Sequence, residues 1–406
     1  MQQPARTARR RGQPTPRWRQ WGRKPEPQDE LILRPLRRKV TGVTQGTKRR
    51  VLLVDDAVVV RKVLSSAIGA DPDLEVAATA VNGKIALAKF AASNPDIVLL
   101  DIEMPEMDGL ETVRELRKVD VRVPIIMFST LTERGASVTL EALALGATDY
   151  VTKPSNINGA ATLDAITGEL IPKIRALCHL RPSPGSPILE PKQLRPQLSI
   201  PPHPLLLPPA QVVVIGVSTG GPDALARVLP SLPADLPVPL LIAQHMPPIF
   251  TSMLAARLTS KCALPVRECV SGETVRPGCA LIAPGDFHMV VQADDGVTRV
   301  RTHQGPRENF CRPSVDVLFR SVANVYGART LAVILTGMGQ DGLRGCELLR
   351  SQGARVYVQD EASSVVWGMP GFVARSGLAD KILPLQQMGM EIVRATTLQA
   401  AARSQS

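Results

Sequence analysis

Short apolar runs separated by stretches of helical period organise most of this chain. In residues 49–177 the runs are Arg50–Val54, Glu75–Ala78, Asp96–Leu100, Pro124–Phe128 and Asp149–Val151. After the first run, Val60, Val63, Leu64, Ala67 and Ile68 share one helical face, which Gly69 closes. Five strand–helix units of this length predict a doubly wound parallel sheet. Residues 211–397 repeat the alternation, with strands expected at Val212–Val217, Leu240–Gln244, Ala280–Ala283, Leu331–Leu335 and Arg355–Val358, and a helix over Ser314–Tyr326. The Asp294-Asp295-Gly296 turn between Met289–Gln292 and Thr298–Thr302 predicts an inserted hairpin. The expected fold class is α/β, with two doubly wound parallel-sheet domains.

Outside these halves the pattern stops. Residues 1–48 show no sustained apolar period and are expected to be a disordered tail; residues 398–406 are expected to be a short C-terminal tail. Ten of the 29 residues from Arg181 to Pro209 are proline, which predicts a semi-extended, proline-rich linker over 178–210. The net charge of +11 is concentrated at one end. Residues 1–50 carry fifteen Lys and Arg against Glu26, Asp29 and Glu30, a net of +12, so the remainder is close to neutral. That placement argues against a DNA-binding output half, and nucleic acid is not an expected partner. The tail is either a surface-binding arm or a solvated extension; the second is favoured. Six cysteines without C-x-x-C spacing indicate reduced thiols, with no disulfide framework or metal cluster. With no apolar stretch of about 18 residues and no export signal, a cytoplasmic monomer is expected.

The chemistry falls at strand ends. Asp55, Asp56 and Asp101 follow strands in the first half, where an open parallel sheet binds its ligands. Three carboxylates gathered there require a cation, and a hard octahedral ion such as Mg²⁺ suits them. Ser129 could donate to a phosphoryl oxygen, and Lys153 could place a point charge on it. Any one of these residues alone reads better as a solvated loop residue, but four strand ends agree. In the second half Ser218 lies in G-x-S-x-G after a Val-rich strand, a turn that lifts a hydroxyl out of the backbone. A serine needs a base. His179 and His203 lie in or beside the linker, His303 belongs to the hairpin, and His288 reads as a polar loop residue. His245 ends Leu240–Gln244 and is the best candidate. Asp341, after Leu331–Leu335, can orient the imidazole; its bland reading is an N-cap for the next helix. The order Ser…His…Asp differs from the Ser…Asp…His of α/β-hydrolases.

Residues 50–155 resemble the receiver domain of two-component response regulators, through L-V-D-D, D-I-V-L-L-D-I-E-M-P, Ser129 and D-Y-V-T-K-P. The second half resembles the catalytic domain of the chemotaxis protein-glutamate methylesterase family. The motifs are I-G-V-S-T-G-G-P, Q-H-M, A-P-G-D-F-H-M, R-P-S-V-D-V-L-F-R-S, L-T-G-M-G-Q-D-G and Q-D-E-A-S-S-V-V-W-G-M-P. The resemblance implies a flavodoxin-like receiver and a Rossmann-like methylesterase domain. Asp101 would accept phosphate from a chemotaxis histidine kinase, with Asp55, Asp56 and Asp101 holding Mg²⁺ and Ser129, Tyr150 and Lys153 sensing the phosphoryl group. Ser218, His245 and Asp341 would form the catalytic triad, with the Met338 amide as oxyanion donor, Thr219 beside the nucleophile, and no cofactor in that domain. The implied function is phosphorylation-activated demethylation of glutamate γ-methyl esters, releasing methanol, and deamidation of glutamines, on methyl-accepting chemotaxis receptors. Ala57, where the family often has a hydroxyl residue, and Gln340, where Asn is frequent, depart from the pattern without removing a catalytic group. The competing reading is a phosphorylation-gated adaptor that keeps the hydrolase fold without turnover.

Overall fold

The computed structural model describes residues 48–153, 160–179 and 209–397. The expected N-terminal tail except its last residue, most of the linker and the C-terminal tail lie outside the described residues.

The first sheet contains β1 (Arg49–Val54), β2 (Leu74–Ala80), β3 (Ile97–Asp101), β4 (Ile125–Ser129) and β5 (Asp149–Thr152). They are all parallel in the order β2-β1-β3-β4-β5. Around it lie α1 (Val58–Gly69), α2 (Gly83–Ser93), α3 (Gly109–Val119), α4 (Glu133–Ala144) and α5 (Ala160–Leu177). β3 and β4 are buried at every position, as expected where helices cover both faces of a parallel sheet. Asp108 starts α3 with a full capping box: its side chain accepts from Glu111 N–H, and Glu111 accepts from Asp108 N–H.

The second sheet has seven parallel strands. They are β6 (Val212–Val217), β7 (Leu240–Gln244), β8 (Val266–Glu268), β9 (Ala280–Ile282), β12 (Thr330–Ile334), β13 (Arg355–Gln359) and β14 (Lys381–Leu383), in the order β14-β13-β12-β6-β7-β9-β8. The hairpin β10 (His288–Asp294) and β11 (Val297–His303) pairs antiparallel about the predicted turn. The helices are α6 (Gly221–Val228), α7 (Phe250–Thr259), α8 (Val315–Tyr326), α9 (Leu343–Ser351), α10 (Met369–Arg375) and α11 (Leu385–Thr396). β8 and β14 were not anticipated. Each has three residues, largely exposed or half-buried, and so lacks the apolar run that marks an inner strand. His288, expected in a loop, instead begins β10, where it is buried and accepts from Ser314 N–H.

Within the interior of each sheet chain order reverses once, between β1 and β3 in the first and between β6 and β12 in the second; the second sheet reverses again at its edge, where β8 lies outside β9. The crevices at these switch points are where ligands bind in open α/β sheets. The two halves also share packing. One buried apolar cluster includes Leu140 and Leu143 of α4 together with Leu225 of α6 and Leu254 of α7. Tyr150 of β5 stacks on Phe250 of α7, with ring centroids 4.8 Å apart and planes 8° from parallel. No helix among the described residues is long and apolar enough to cross a membrane.

Candidate active site

At the first switch point, Asp55 and Asp56 follow β1 and β3 ends in Asp101. Lys153 Nζ lies 2.6 Å from Asp101 Oδ1 and 3.1 Å from Asp55 Oδ2. Asp101 Oδ1 also accepts from Ile102 N–H, and Asp55 Oδ1 from Ala57 N–H. Burial pushes the Asp101 carboxyl up to about 6, Lys153 opposes this, and Asp55 adds to it. One carboxylate oxygen from each of Asp55, Asp56 and Asp101 lies within 4.8 Å of the others. Mg²⁺ takes oxygen ligands, carboxylates among them, so the chemistry of this all-oxygen set suits that ion. Asp101, Asp56, Thr130 and Lys153 line a surface cavity. The Ser129 hydroxyl, expected to face the phosphoryl group, is turned inward. It is fully buried, accepts from Thr139 Oγ1 at 2.6 Å and sits 3.3 Å from Gly135 O. Thr130, one residue further on, lines the cavity instead.

At the second switch point the ends of β6, β7 and β12 meet. Ser218 follows β6, and its N–H donates to Thr336 O beyond β12. Gln244 Nε2 donates to Ser218 O, and Thr336 Oγ1 to Thr219 O. Gln359 Oε1 accepts from Thr336 N–H, so side chains from three neighbouring strand ends hold the serine turn. The turn runs into α6 through Gly220, whose φ of 75° suits glycine, and a Cβ there would come within 2.6 Å of Val365. A Cβ on Gly337 would stand 2.8 Å from Ser218 Cβ, so glycine lets the strand β12 loop close on the serine. The backbone N–H groups of Thr219 and Met338 donate to no other described residue.

His245 follows β7, and its N–H donates to Val217 O. Its Nε2 is 2.8 Å from Asp341 Oδ2. Asp341 is almost wholly buried and saturated with donors. Oδ1 accepts from Asn309 Nδ2, Ser314 Oγ, Asp316 N–H and Gly342 N–H, while Oδ2 also accepts from Val315 N–H. Asp341 therefore does cap a helix, but the helix is α8, whose own N-cap Ser314 makes no capping bond of its own. Burial alone would raise its carboxyl; the His245 bond and the α8 amides overcome this and hold it at about 2. Burial also disfavours the imidazolium of His245, yet the adjoining Cys311 and Asp341 together hold its pKa above the ordinary histidine value.

Two residues here were not singled out from sequence. Asp316, in the first turn of α8, is buried and accepts from Gly345 N–H and Asn309 Nδ2. Burial first, then Asp341, pushes its carboxyl up to about 7. Cys311 Sγ lies 3.4 Å from His245 Nδ1, the nitrogen left open by Asp341. The Ser218 hydroxyl itself makes no hydrogen bond to another described residue. Asp316 lies within R-P-S-V-D-V-L-F-R-S, but nothing in a linear motif shows which carboxylate faces inward. Cys311 has no cysteine near it in sequence, so spacing could not group it with His245.

The two halves touch beside the serine. Thr219 Oγ1 donates to Asp149 Oδ2 of β5 at 3.1 Å, and Lys173 Nζ of α5 lies 3.2 Å from that same oxygen. Lys173 also donates to Tyr150 O and sits over the Tyr150 ring.

Comparison with known proteins identifies the family of each half. Residues 213–392 match the family described as CheB methylesterase, and residues 51–162 match the response regulator receiver domain. A protein-glutamate methylesterase/protein-glutamine glutaminase of Trichodesmium erythraeum (strain IMS101) is 49% identical over 348 residues, covering 86% of this chain and 99% of that protein. One of the same name from Nocardioides sp. (strain ATCC BAA-499 / JS614) is 50% identical over 352 residues, covering 85% and 94%. The crystal structure of the Thermotoga maritima CheB methylesterase catalytic domain is 42% identical, covers 46% of this chain and 98% of its own, and superposes with a TM-score of 0.45. With about half of the aligned residues identical across nearly the full length of such relatives, the chain belongs to the protein-glutamate methylesterase/protein-glutamine glutaminase family of response regulators.

Proposed function

We propose that the chain is a receiver-gated hydrolase that removes glutamate γ-methyl esters and deamidates glutamines on methyl-accepting chemotaxis receptors in the cytoplasm. Its receiver domain would span 49–177 and its catalytic domain 211–397, joined by the proline-rich segment 178–210. The observation that carries this reading is the convergence of Ser218, His245 and Asp341 at one switch point, with Asp341 saturated by donors and bonded to His245 at 2.8 Å.

Because Asp341 accepts a hydrogen bond from Nε2, the base acts through Nδ1. Ser218 Oγ displaces the Cys311 thiol from that nitrogen, gives up its proton there and attacks the ester carbonyl. Catalytic hydrogen bonds often form fully only with substrate bound, so their absence from the free site is compatible with this role. The carbonyl oxygen turns to the unpaired N–H groups of Met338 and Thr219. His245 returns the proton to the leaving methoxide as methanol, or to the leaving amide nitrogen as ammonia. Water then attacks the acyl-enzyme by the reverse proton path, freeing the glutamate and Ser218.

In the receiver, Asp101 would take the phosphoryl group, flanked by Lys153. Asp55, Asp56 and Asp101 would hold Mg²⁺, which when bound neutralises the carboxylates and the incoming phosphoryl oxygens. Phosphorylation adds roughly −1.5 to −2 charge at Asp101. Lys153 is drawn toward it and away from Asp55, and Ser129 would have to rotate from Thr139 to reach it. The resulting shift at β5 loosens the Tyr150–Phe250 and Asp149–Thr219 contacts that hold the receiver beside the serine.

The test is methanol release from methylated chemoreceptor, with and without a small-molecule phosphodonor and Mg²⁺. Wild type is expected to be stimulated, and Asp101→Asn to keep basal activity without stimulation. No release from wild type under any condition would favour the adaptor reading. A second expected outcome concerns the interface. An aromatic pair contributes about 0.5–1.5 kcal/mol, so Tyr150→Leu should raise unphosphorylated activity roughly 2- to 10-fold. Unchanged basal activity in a folded Tyr150→Leu protein would argue that this stack does not restrain the enzyme.

A further inference from the structure

Cys311 has no part in the ester chemistry, yet its sulfur lies 3.4 Å from the nitrogen that must receive the serine proton. The loop that carries it is held on every side. Glu308 pairs with both terminal nitrogens of Arg320 at 2.6 Å, Arg312 reaches Asp286 at 2.7 Å, and Asn309 donates to Asp341 and Asp316. Asn309 and Phe310 take left-handed backbone conformations, with φ of 52° and 64°, and turn the chain so that Cys311 faces the cleft.

This pair has the dimensions of a soft-metal site. Tetrahedral zinc takes sulfur at about 2.3 Å and imidazole nitrogen at about 2.0–2.1 Å, which sets the two ligands about 3.5 Å apart. Histidines that ligate metal almost always donate their other ring N–H to a carboxylate, which fixes the tautomer. Asp341 takes that place at Nε2, which leaves Nδ1 facing the sulfur at 3.4 Å. An oxygen of Asp341 also lies within 4.8 Å of ligand atoms of both His245 and Cys311. Its donors, however, make it the orienting group rather than a ligand, and the remaining positions would fall to solvent or the Ser218 hydroxyl.

We propose that Cys311 Sγ and His245 Nδ1 form a binding site for a soft divalent cation of the zinc type, whose occupancy withdraws the catalytic base and stops hydrolysis. Binding replaces the thiol proton, and the Nδ1 proton where present, and releases them to solvent; no bond to substrate is involved. Thiolate and imidazole select zinc-like ions over Mg²⁺, so the ion that suits the all-oxygen receiver site does not compete here. The inhibitory consequence rests on the methylesterase reading, whereas metal binding at Cys311 does not.

Two readouts separate them. Co²⁺, a spectroscopic stand-in for Zn²⁺, is titrated into the full-length protein, wild type against Cys311→Ser and Cys311→Ala, and the near-ultraviolet thiolate-to-cobalt absorption is followed. Methanol release is measured over the same Zn²⁺ series, with Mg²⁺ at equal concentration as control. The band is expected in wild type and absent from both variants. Zn²⁺ should inhibit wild type at concentrations at least 10-fold below those needed for either variant, while Mg²⁺ does not inhibit. A band lost with Cys311 in a protein that releases no methanol would sustain the metal site and sink the methylesterase reading. Active enzyme whose Zn²⁺ sensitivity or cobalt band is unchanged in the variants would overturn the site.

Discussion

Ser218→Ala is expected to lower methanol release from methylated receptor by roughly 10⁴- to 10⁶-fold, leaving only what the oxyanion donors and binding can supply. The substitution is a clean one. The bonds that shape the serine turn run through its backbone: Ser218 N–H to Thr336 O, and Gln244 Nε2 to Ser218 O. The hydroxyl bonds to no other described residue, so alanine removes an atom the fold does not use. Thermal unfolding should therefore stay within about 1 kcal/mol of wild type. Retention of more than a hundredth of wild-type turnover in Ser218→Ala would remove the serine from the chemistry, whatever its position in the turn.

Asp341→Asn is expected to be nearly as damaging to turnover, by about 10²- to 10⁴-fold, but it should also weaken the fold. Each carboxylate oxygen of Asp341 accepts from several donors. An amide must place its NH₂ on one side, where it meets either the His245 and Val315 donors or the Ser314, Asn309 and Asp316 donors. At least one buried N–H or O–H loses its acceptor, at a cost of about 1–3 kcal/mol. The pH dependence carries a second signature. Asp341 is held at about 2, below the ordinary 3.8, so the folded state binds fewer protons there than the unfolded chain. Its contribution to stability is complete above the ordinary value and is lost as pH falls from near 4 through 2. Asp341→Asn should lack that component of acid destabilisation. Steady-state kcat together with urea titrations at pH 3 and pH 7 would check both parts. An Asn variant with wild-type kcat would leave the carboxylate only its structural work at α8.

Much of this was legible before any coordinates, for a simple reason. Strands covered on both faces need apolar runs; β6 is apolar throughout and β7 up to its final Gln244, so both are legible to the residue. Polar residues that end such strands must open into the crevice, which singled out Asp101, Ser218 and His245. What escaped were features set by the other side of the contact. Asp341 reads from sequence as the acid that orients the imidazole, with a cap for the following helix as its bland alternative; what the sequence does not show is that the turn after β12 also delivers it to the first amides of α8, some 25 residues earlier in the chain. The Ser129 hydroxyl was expected at the phosphate and instead bonds to Thr139 on α4. Cys311 comes to His245 across 66 residues of sequence, a meeting that depends on two left-handed loop residues rather than on any spacing.

The bond from Thr219 to Asp149 has a consequence that runs opposite to the usual direction of signalling. If a docked receiver and a bound receptor helix exclude one another beside Ser218, the two equilibria are one linked system, and linkage is reciprocal. Whatever factor phosphorylation gains for receptor binding, receptor binding must return to the receiver's affinity for its phosphorylated form. A crowded array of methylated receptors would then act as a thermodynamic effector of the response regulator, drawing phosphoryl groups toward those copies already seated on substrate.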